Sequence, residues 1–320
     1  MKKSFPGVSS ARRRGFTATR TAALAATAAL AMVVPVTGSA SAAVPASATA
    51  SQPVATHFVF TADSADTVGD AAYIDNPATN GKSGVILFVT PNYDPDGDCG
   101  CVFDSYPIAV GYDPDAAEWA VYNVNGDDMS LNESFSVLVV MRPPGHSVVG
   151  VESDPQTTEG DYTFITNSIA DGHPNAKIQV TQELAPDHVI DPHPVGVWYV
   201  RSAKLWAIFN VDKAAMPLYA YFNVEINGKG SSGGKSSVLK TTTSNRVADT
   251  TFINSGLTNG NPGNVTFATP NWNPGGKGGT YNDVPTGVWY SSSNSQEGVF
   301  DENGSSPPLH SAYNLLVFPS

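Results

Sequence analysis

Hydrophobic and polar positions alternate along most of this chain in short runs. Between 176 and 184, Ile178 and Val180 fall on one side of an extended segment, with Lys177, Gln179 and Thr181 on the other. Runs of the same kind lie at 148–153, 163–167, 195–200, 205–211 and 218–226, rich in Val, Ile, Phe, Tyr and Trp. Clusters of Gly, Pro, Asn and Asp separate them, as turns separate strands. No long helical period occurs, and the spacing predicts one short turn of helix at Lys213-Ala214-Ala215-Met216. Six strands with these turns make a unit of about 85 residues that closes as a small antiparallel sandwich or barrel.

The unit recurs. Pro194-Val195-Gly196-Val197-Trp198-Tyr199 returns as Pro285-Thr286-Gly287-Val288-Trp289-Tyr290, and Phe209 and Leu218 map onto Phe300 and Leu309 at the same offset. Upstream, Pro107, Trp119, Asn123 and Phe135 answer Pro194, Trp206, Asn210 and Phe222. Thr90, Thr181 and Thr269 correspond, as do Pro91-Asn92-Tyr93 and Pro270-Asn271-Trp272. A constant offset held through such stretches predicts three tandem repeats, at 54–144, 145–229 and 240–320. The connection between the Thr element and the Pro-x-Gly element is long in the first and third repeats and short in the second. The three units can sit as beads or share one threefold assembly; the Gly/Ser-rich segment 230–239 reads as a linker and favours beads there, so the first two repeats are expected to pack together and the third to be hinged.

The motifs Asn-Trp-Asn-Pro-Gly-Gly (271–276), Pro-x-Gly-Val-Trp-Tyr, Trp-Ala-Ile-Phe-Asn (206–210) and Phe222-Asn223-Val224 resemble an uncharacterised tandem-repeat β domain of secreted bacterial proteins, actinobacterial examples included. The resemblance covers nearly the whole chain beyond its leader and implies architecture and location, with no activity attached. Two departures stand out: Gly111 replaces the Trp of Gly-Val-Trp-Tyr in the first repeat, and Glu297 takes the Trp206 position in the third.

The leader carries Lys2, Lys3, Arg12, Arg13, Arg14 and Arg20 without an acid, then an Ala-rich apolar stretch at 22–34 and an A-x-A signal ending at Ala42. Residues 1–42 read as a signal peptide cleaved near Ala42. The apolar run is shorter than the ~20 residues a membrane span requires, and no later run is longer. Arg13-Arg14-Gly15-Phe16 fits twin-arginine export beside the general route. Residues 43–53 read as a flexible lead-in. Secretion is the expected location.

The whole chain holds 17 Lys+Arg against 29 Asp+Glu, net −12. Removal of the leader deletes six cations and no acid, which deepens the charge to −18. Clustered cations are what phosphate binding needs, so nucleic acid is excluded as a partner. An aromatic content of 10% also excludes a disordered acidic chain.

Candidate chemistry is sparse. Cys99 and Cys101, the two cysteines, are expected to bridge and stiffen the variable loop after export. Asp94, Asp96 and Asp98 alternate as oxygen ligands for calcium do, an incomplete match to a calcium loop. No other cofactor is implied. Asp187-His188 and Asp191-Pro192-His193 contain the residue types of a hydrolase, but Tyr106 and Val284 stand at the His193 position in the other repeats. Neither Gly145-His146-Ser147-Val148-Val149-Gly150 nor Gly234-Lys235-Ser236 completes a catalytic or phosphate-binding motif. The recurrent aromatics Trp119, Trp206, Trp272, Trp289 and Tyr290 are the candidate binding residues. Because Glu297 replaces it, Trp206 is expected on a solvent-facing or inter-repeat surface, with Tyr199 or Trp198 facing the core. The chain therefore reads as a secreted non-enzymatic binding protein of the cell surface or matrix, with a glycan as favoured ligand. A structural or protein-binding repeat protein is the alternative, and a secreted hydrolase using the Asp191/His193 loop is third.

Overall fold

The computed structural model describes residues 55–97, 102–141, 147–184, 188–227 and 232–320. The leader, its cleavage site, the lead-in, Asp98, Cys99 and Cys101 lie outside the described residues.

The first repeat lays down β1 (Ala55–Thr61), β2 (Thr67–Val68), β3 (Ala71–Tyr73), β4 (Ile86–Pro91), β5 (Ile108–Asp113), β6 (Glu118–Asn123) and β7 (Ser134–Val140). The second repeats the series as β8 (Val148–Glu152), β9 (Thr158–Glu159), β10 (Tyr162–Ile165), β11 (Lys177–Leu184), β12 (Val195–Val200), β13 (Leu205–Asn210) and β14 (Tyr221–Asn227). The third comprises β15 (Lys235–Lys240), β16 (Arg246–Val247), β17 (Thr250–Phe252), β18 (Val265–Pro270), β19 (Thr286–Ser291), β20 (Gln296–Asp301) and β21 (Ala312–Phe318). In each repeat a three-stranded sheet, β1-β7-β4 in the first, faces a four-stranded one, β2-β3-β6-β5, and pairing within the repeat is antiparallel. The fold is all-β and the units are sandwiches, not barrels.

The seventh strand was beyond reach of the hydrophobic pattern because it is two residues long. It forms one arm of a hairpin closed by Gly69-Asp70, Gly160-Asp161 or Ala248-Asp249, with the first turn residue at a φ of 62°, 59° or 52°. No helix forms at 213–216, where Lys213 takes a φ of 63°. Among the described residues no helix is long and apolar enough to cross a membrane.

Each sandwich fills its own core: Trp119, Ile74, Leu87 and Phe135 in the first, Trp206, Ile165, Ile178 and Phe222 in the second, Ile253, Val299, Tyr313 and Leu315 in the third. A further cluster joins repeats, with Phe88, Leu138 and Val140 packed against Val265, Phe267, Leu316 and Phe318.

The three repeats close a ring about a pseudo-threefold axis. β5 runs parallel to the end of β11. At the equivalent places Val197 of β12 bridges Asn271 and Val288 of β19 bridges Asn92, so the third repeat returns to the first. Around the axis each Thr hydroxyl accepts the backbone N–H of a neighbouring repeat: Thr181 from Val89 at 3.0 Å, Thr269 from Val180 at 3.2 Å and Thr90 from Ala268 at 3.3 Å. Outside this triangle, Asn223 donates to the Leu87 carbonyl at 3.1 Å and Asn314 to the Ile178 carbonyl at 3.0 Å. The third repeat is therefore locked into the ring and not hinged. The segment expected to link it contributes β15, paired along its length with β21. Thr181→Val keeps the side-chain shape but strands the buried Val89 N–H. It is expected to cost about 1–3 kcal/mol, read as a lower urea midpoint.

Candidate functional site

Two of the predicted binding tryptophans belong to cores. Trp206 is 0% exposed and Trp119 1%. Their indole N–H groups donate to the His173 and Lys82 carbonyls, each at 3.0 Å, and their rings meet Tyr199 and Tyr112 edge-on. The expectation that Trp206 is exposed is overturned, and the substitution that prompted it has a local explanation. Glu297 does occupy the Trp206 position, opposite Tyr290 as Trp206 is opposite Tyr199, and it too is buried. Thr266, at the place of Leu87 and Ile178, donates its hydroxyl to the Glu297 carboxyl at 2.8 Å. Burial pushes that carboxyl up to about 7, with the Thr266 bond pulling the other way, so it is far easier to house as the neutral acid than an ordinary glutamate would be. Tyr290 is also buried, under the 94–97 loop, where its N–H donates to the Asp94 carbonyl at 3.1 Å.

The long connections that follow β4 and β18 are clasps between repeats. Asn273 accepts the Tyr199 N–H at 2.7 Å and donates to the Tyr199 carbonyl at 2.9 Å. In the corresponding place the Tyr290 N–H donates to the Asp94 carbonyl, and just beyond it Ser292 donates to the Gly97 carbonyl. Among the described residues the short loop of repeat 2 makes no such clasp; β11 itself pairs with β5. Gly111 permits that, since a Cβ there would meet the Leu184 carbonyl at 3.0 Å.

Beside each clasp lies an aromatic cleft, and these clefts collect the remaining candidates. Between repeats 2 and 3, Trp198, Trp272, Tyr162, Phe209 and Tyr281 surround a space of about 330 Å³ with Asp161 at its edge. Trp198 meets Trp272 edge-on at 5.5 Å and Tyr162 at 5.4 Å, and Trp272 meets Tyr281 at 5.5 Å. Between repeats 1 and 3, Tyr93, Phe103, Trp289 and Phe300 with Thr250 and Asp249 surround about 300 Å³. The two are equivalent by register. Trp198 and Trp289 each stand one residue after the bridging valine, and Trp272 and Tyr93 each follow the bridging asparagine. The third junction has Gly111 and Leu184 at those places and pairs strands instead.

The clefts differ in their polar atoms. Trp289 donates to the Thr250 hydroxyl at 3.1 Å, which donates to Asp249 at 3.0 Å. Tyr162 takes the place of Thr250 in the other cleft and turns its hydroxyl to Glu159 at 2.8 Å. The indole N–H groups of Trp198 and Trp272 are left buried without an acceptor. The Lys213 ammonium lies 4.0 Å from the centre of the Tyr281 ring. Burial raises the Tyr281 phenol, and the Asp161 charge raises it further.

On the axis itself a funnel of about 630 Å³ is lined by the same six positions of every repeat, with Tyr106, His193 and Val284 as one such set. His193 Nδ1 pairs at 2.7 Å with Asp212, both about one-third exposed, rather than with Asp191. Asp191 is buried against Asn210, 3.3 Å away, and burial pushes it up to about 6. His188 stacks on Tyr221 at 4.5 Å. The nearby Thr181 hydroxyl is spent on the Val89 backbone, leaving that imidazole–carboxylate pair no nucleophile in Thr181. Ser147 is buried at the head of β8.

At the junction of repeats 1 and 3, Asp104, Glu133 and Glu302 are buried together. Desolvation raises Asp104 to about 7 and Glu133 to about 8, and it raises Glu302 well above the ordinary range, with mutual repulsion adding to the last two. Oxygens of all three lack hydrogen-bond partners. Among the described residues no group of three His, Cys, Asp or Glu is placed to hold a metal ion.

The sequence pattern overlooked Tyr162, Tyr281, Phe103 and the acids Asp161 and Asp249. The acids carried a legible signal, since Asp70, Asp161 and Asp249 occupy the same turn position in every repeat. The tyrosines carried none: Tyr162 meets Trp198 and Tyr281 meets Trp272 within one repeat each, and the two pairs form a cleft only where Trp198 meets Trp272 across the junction.

A family model described as Domain of unknown function (DUF7452) matches the chain three times, over residues 47–139, 112–226 and 196–317. No curated protein and no solved structure matches it.

Proposed function

Since the chain belongs to the DUF7452 family, whose description names no activity, its role rests on its own surfaces, and we propose that it is an exported, non-enzymatic protein that binds glycans at the cell surface or in the extracellular matrix. The recurrence of one aromatic cleft at two junctions carries this reading. Indole and phenol faces suit the C–H faces of a sugar ring, and Asp161 or Asp249 at the edge accepts hydroxyl hydrogens. Two such sites on one chain favour a polymer over a short oligomer, because the second contact becomes intramolecular. The basic, Ala-rich leader with its A-x-A signal supports export.

Sedimentation with insoluble polysaccharides and cell walls tests the reading. The wild-type protein is expected to co-sediment, and Trp272→Ala to weaken binding about tenfold, equivalent to 1.4 kcal/mol, with Tyr93→Ala adding to the loss. Both residues are only partly buried, so their thermal midpoints should move less than that of Trp206→Ala. Failure to bind any glycan would favour the structural or protein-partner role. Turnover of a glycan or ester abolished by His193→Ala would replace binding with hydrolysis.

A further inference from the structure

We propose that the cleft between repeats 2 and 3 selects a sugar carrying a free, positively charged amine, its ring set against the Trp198 and Trp272 indoles and its ammonium held between Tyr281 and Asp161. This rests on the glycan-binding reading and names the substrate class for one of its two sites.

Three features of the cleft converge on that chemistry. First, the Trp198 and Trp272 indoles, edge-on at 5.5 Å, and the Tyr162 ring wall the cleft with aromatic surface. The ligand must therefore bring an apolar ring face. Second, the Tyr281 ring already attracts an ammonium, that of Lys213 at 4.0 Å, so the wall of the cleft is electrostatically suited to a cation. Third, Asp161 borders the same wall and Glu159 lies behind it, bonded to Tyr162 at 2.8 Å. Both acids oppose an anionic ligand and favour a cationic one, and the net charge of −12 acts in the same direction at longer range. An anionic sugar fails on charge. A bare alkylammonium brings no ring face for the two indoles. A neutral sugar suits the indoles and leaves Asp161 without the charge it attracts.

The cleft between repeats 1 and 3 is the internal contrast. Its Trp289 N–H is already bonded to Thr250 and its Asp249 accepts from Thr250. With its carboxylate shared with Thr250 and, among the described residues, no tyrosine facing a lysine ammonium, it is expected to hold sugars with less discrimination for charge. Lys213 is at once the sign of the cation site and its resident competitor.

Calorimetric titration of the full chain with oligomers of glucosamine, of N-acetylglucosamine and of glucose, at a pH that protonates the free amine, tests the assignment. The glucosamine oligomer is expected to bind at least tenfold more tightly than the other two. Asp161→Asn, which keeps a residue suited to the hairpin turn, should erase the preference. Trp272→Ala should remove the tight phase, while Tyr93→Ala in the other cleft should leave the preference in place. Lys213→Gln should raise affinity for the glucosamine oligomer several-fold by vacating the Tyr281 face. Equal affinity for the three oligomers, a preference that survives Asp161→Asn, or weaker binding by Lys213→Gln would overturn the assignment while leaving glycan binding intact. Choline binding as tightly as the glucosamine oligomer would overturn the requirement for a sugar ring. Failure of every oligomer to bind would instead defeat the glycan reading on which the assignment rests.

Discussion

Trp206→Ala is expected to destabilise the protein by about 3–5 kcal/mol, the cost of truncating a fully buried large aromatic and leaving a cavity. The indole is 0% exposed within the repeat 2 core and packs edge-on against Tyr199 at 5.5 Å. Its loss also removes one of two donors to the His173 carbonyl, the other being the Ala176 N–H. The effect should not stay within one sandwich. The Thr90, Thr181 and Thr269 hydroxyls and the Asn223 and Asn314 side chains tie each repeat to another, and β5 pairs with β11. Urea denaturation should therefore show one transition for wild type and variant, displaced to lower urea with little change in slope. Trp119→Ala should behave alike, because its ring and N–H repeat the arrangement in repeat 1. A midpoint shift smaller than that of Trp272→Ala, or separate melting of repeat 2, would contradict both the burial and the ring closure.

Stability should fall as pH rises from about 4 to about 8. The sign follows from the buried carboxyls. Glu133 is raised from 4.5 to about 8, Asp104 from 3.8 to about 7 and Glu297 from 4.5 to about 7, each chiefly by desolvation. Below pH 4 both folded and unfolded chains hold these protons, so the groups carry no penalty. Between the unfolded and folded values the unfolded chain releases protons that the native chain keeps. Each such proton lowers stability by about 1.4 kcal/mol per pH unit, and the penalty is complete above the folded value. Glu302, buried beside Asp104 and Glu133, acts in the same direction. Glu302→Gln removes one titrating group and the charge that Asp104 and Glu133 oppose when it ionises. It should flatten the pH dependence and raise the midpoint at pH 8 relative to wild type. Denaturation series at pH 5, 6, 7 and 8 read both effects, and a stability that rises across this range would refute the protonated state of the cluster.

The alternation at Ile178 and Val180 and the constant offset between Gly-Val-Trp-Tyr copies were enough to establish the strands, the three repeats and the all-β class. These are local or periodic properties: side chains of period two report a strand directly, and a duplicated unit carries its own alignment. The pattern likewise placed Glu297 at the Trp206 position. It erred in taking that exchange for exposure, because the compensating change, Thr266 in place of Leu87 and Ile178, lies on a different strand and matters only once the strands face each other. The variable loops were legible as variable but not as clasps, since Asn273 meets Tyr199 across 74 residues and two repeats. Tertiary structure alone decided that the repeats form a ring. A tandem array and a closed ring use the same strands and the same repeat cores. They differ in a few long-range contacts at the junctions, where a Thr hydroxyl on one repeat meets a backbone N–H on another, and where Gly111 opens room for a strand while Trp198 and Trp289 line a cleft instead.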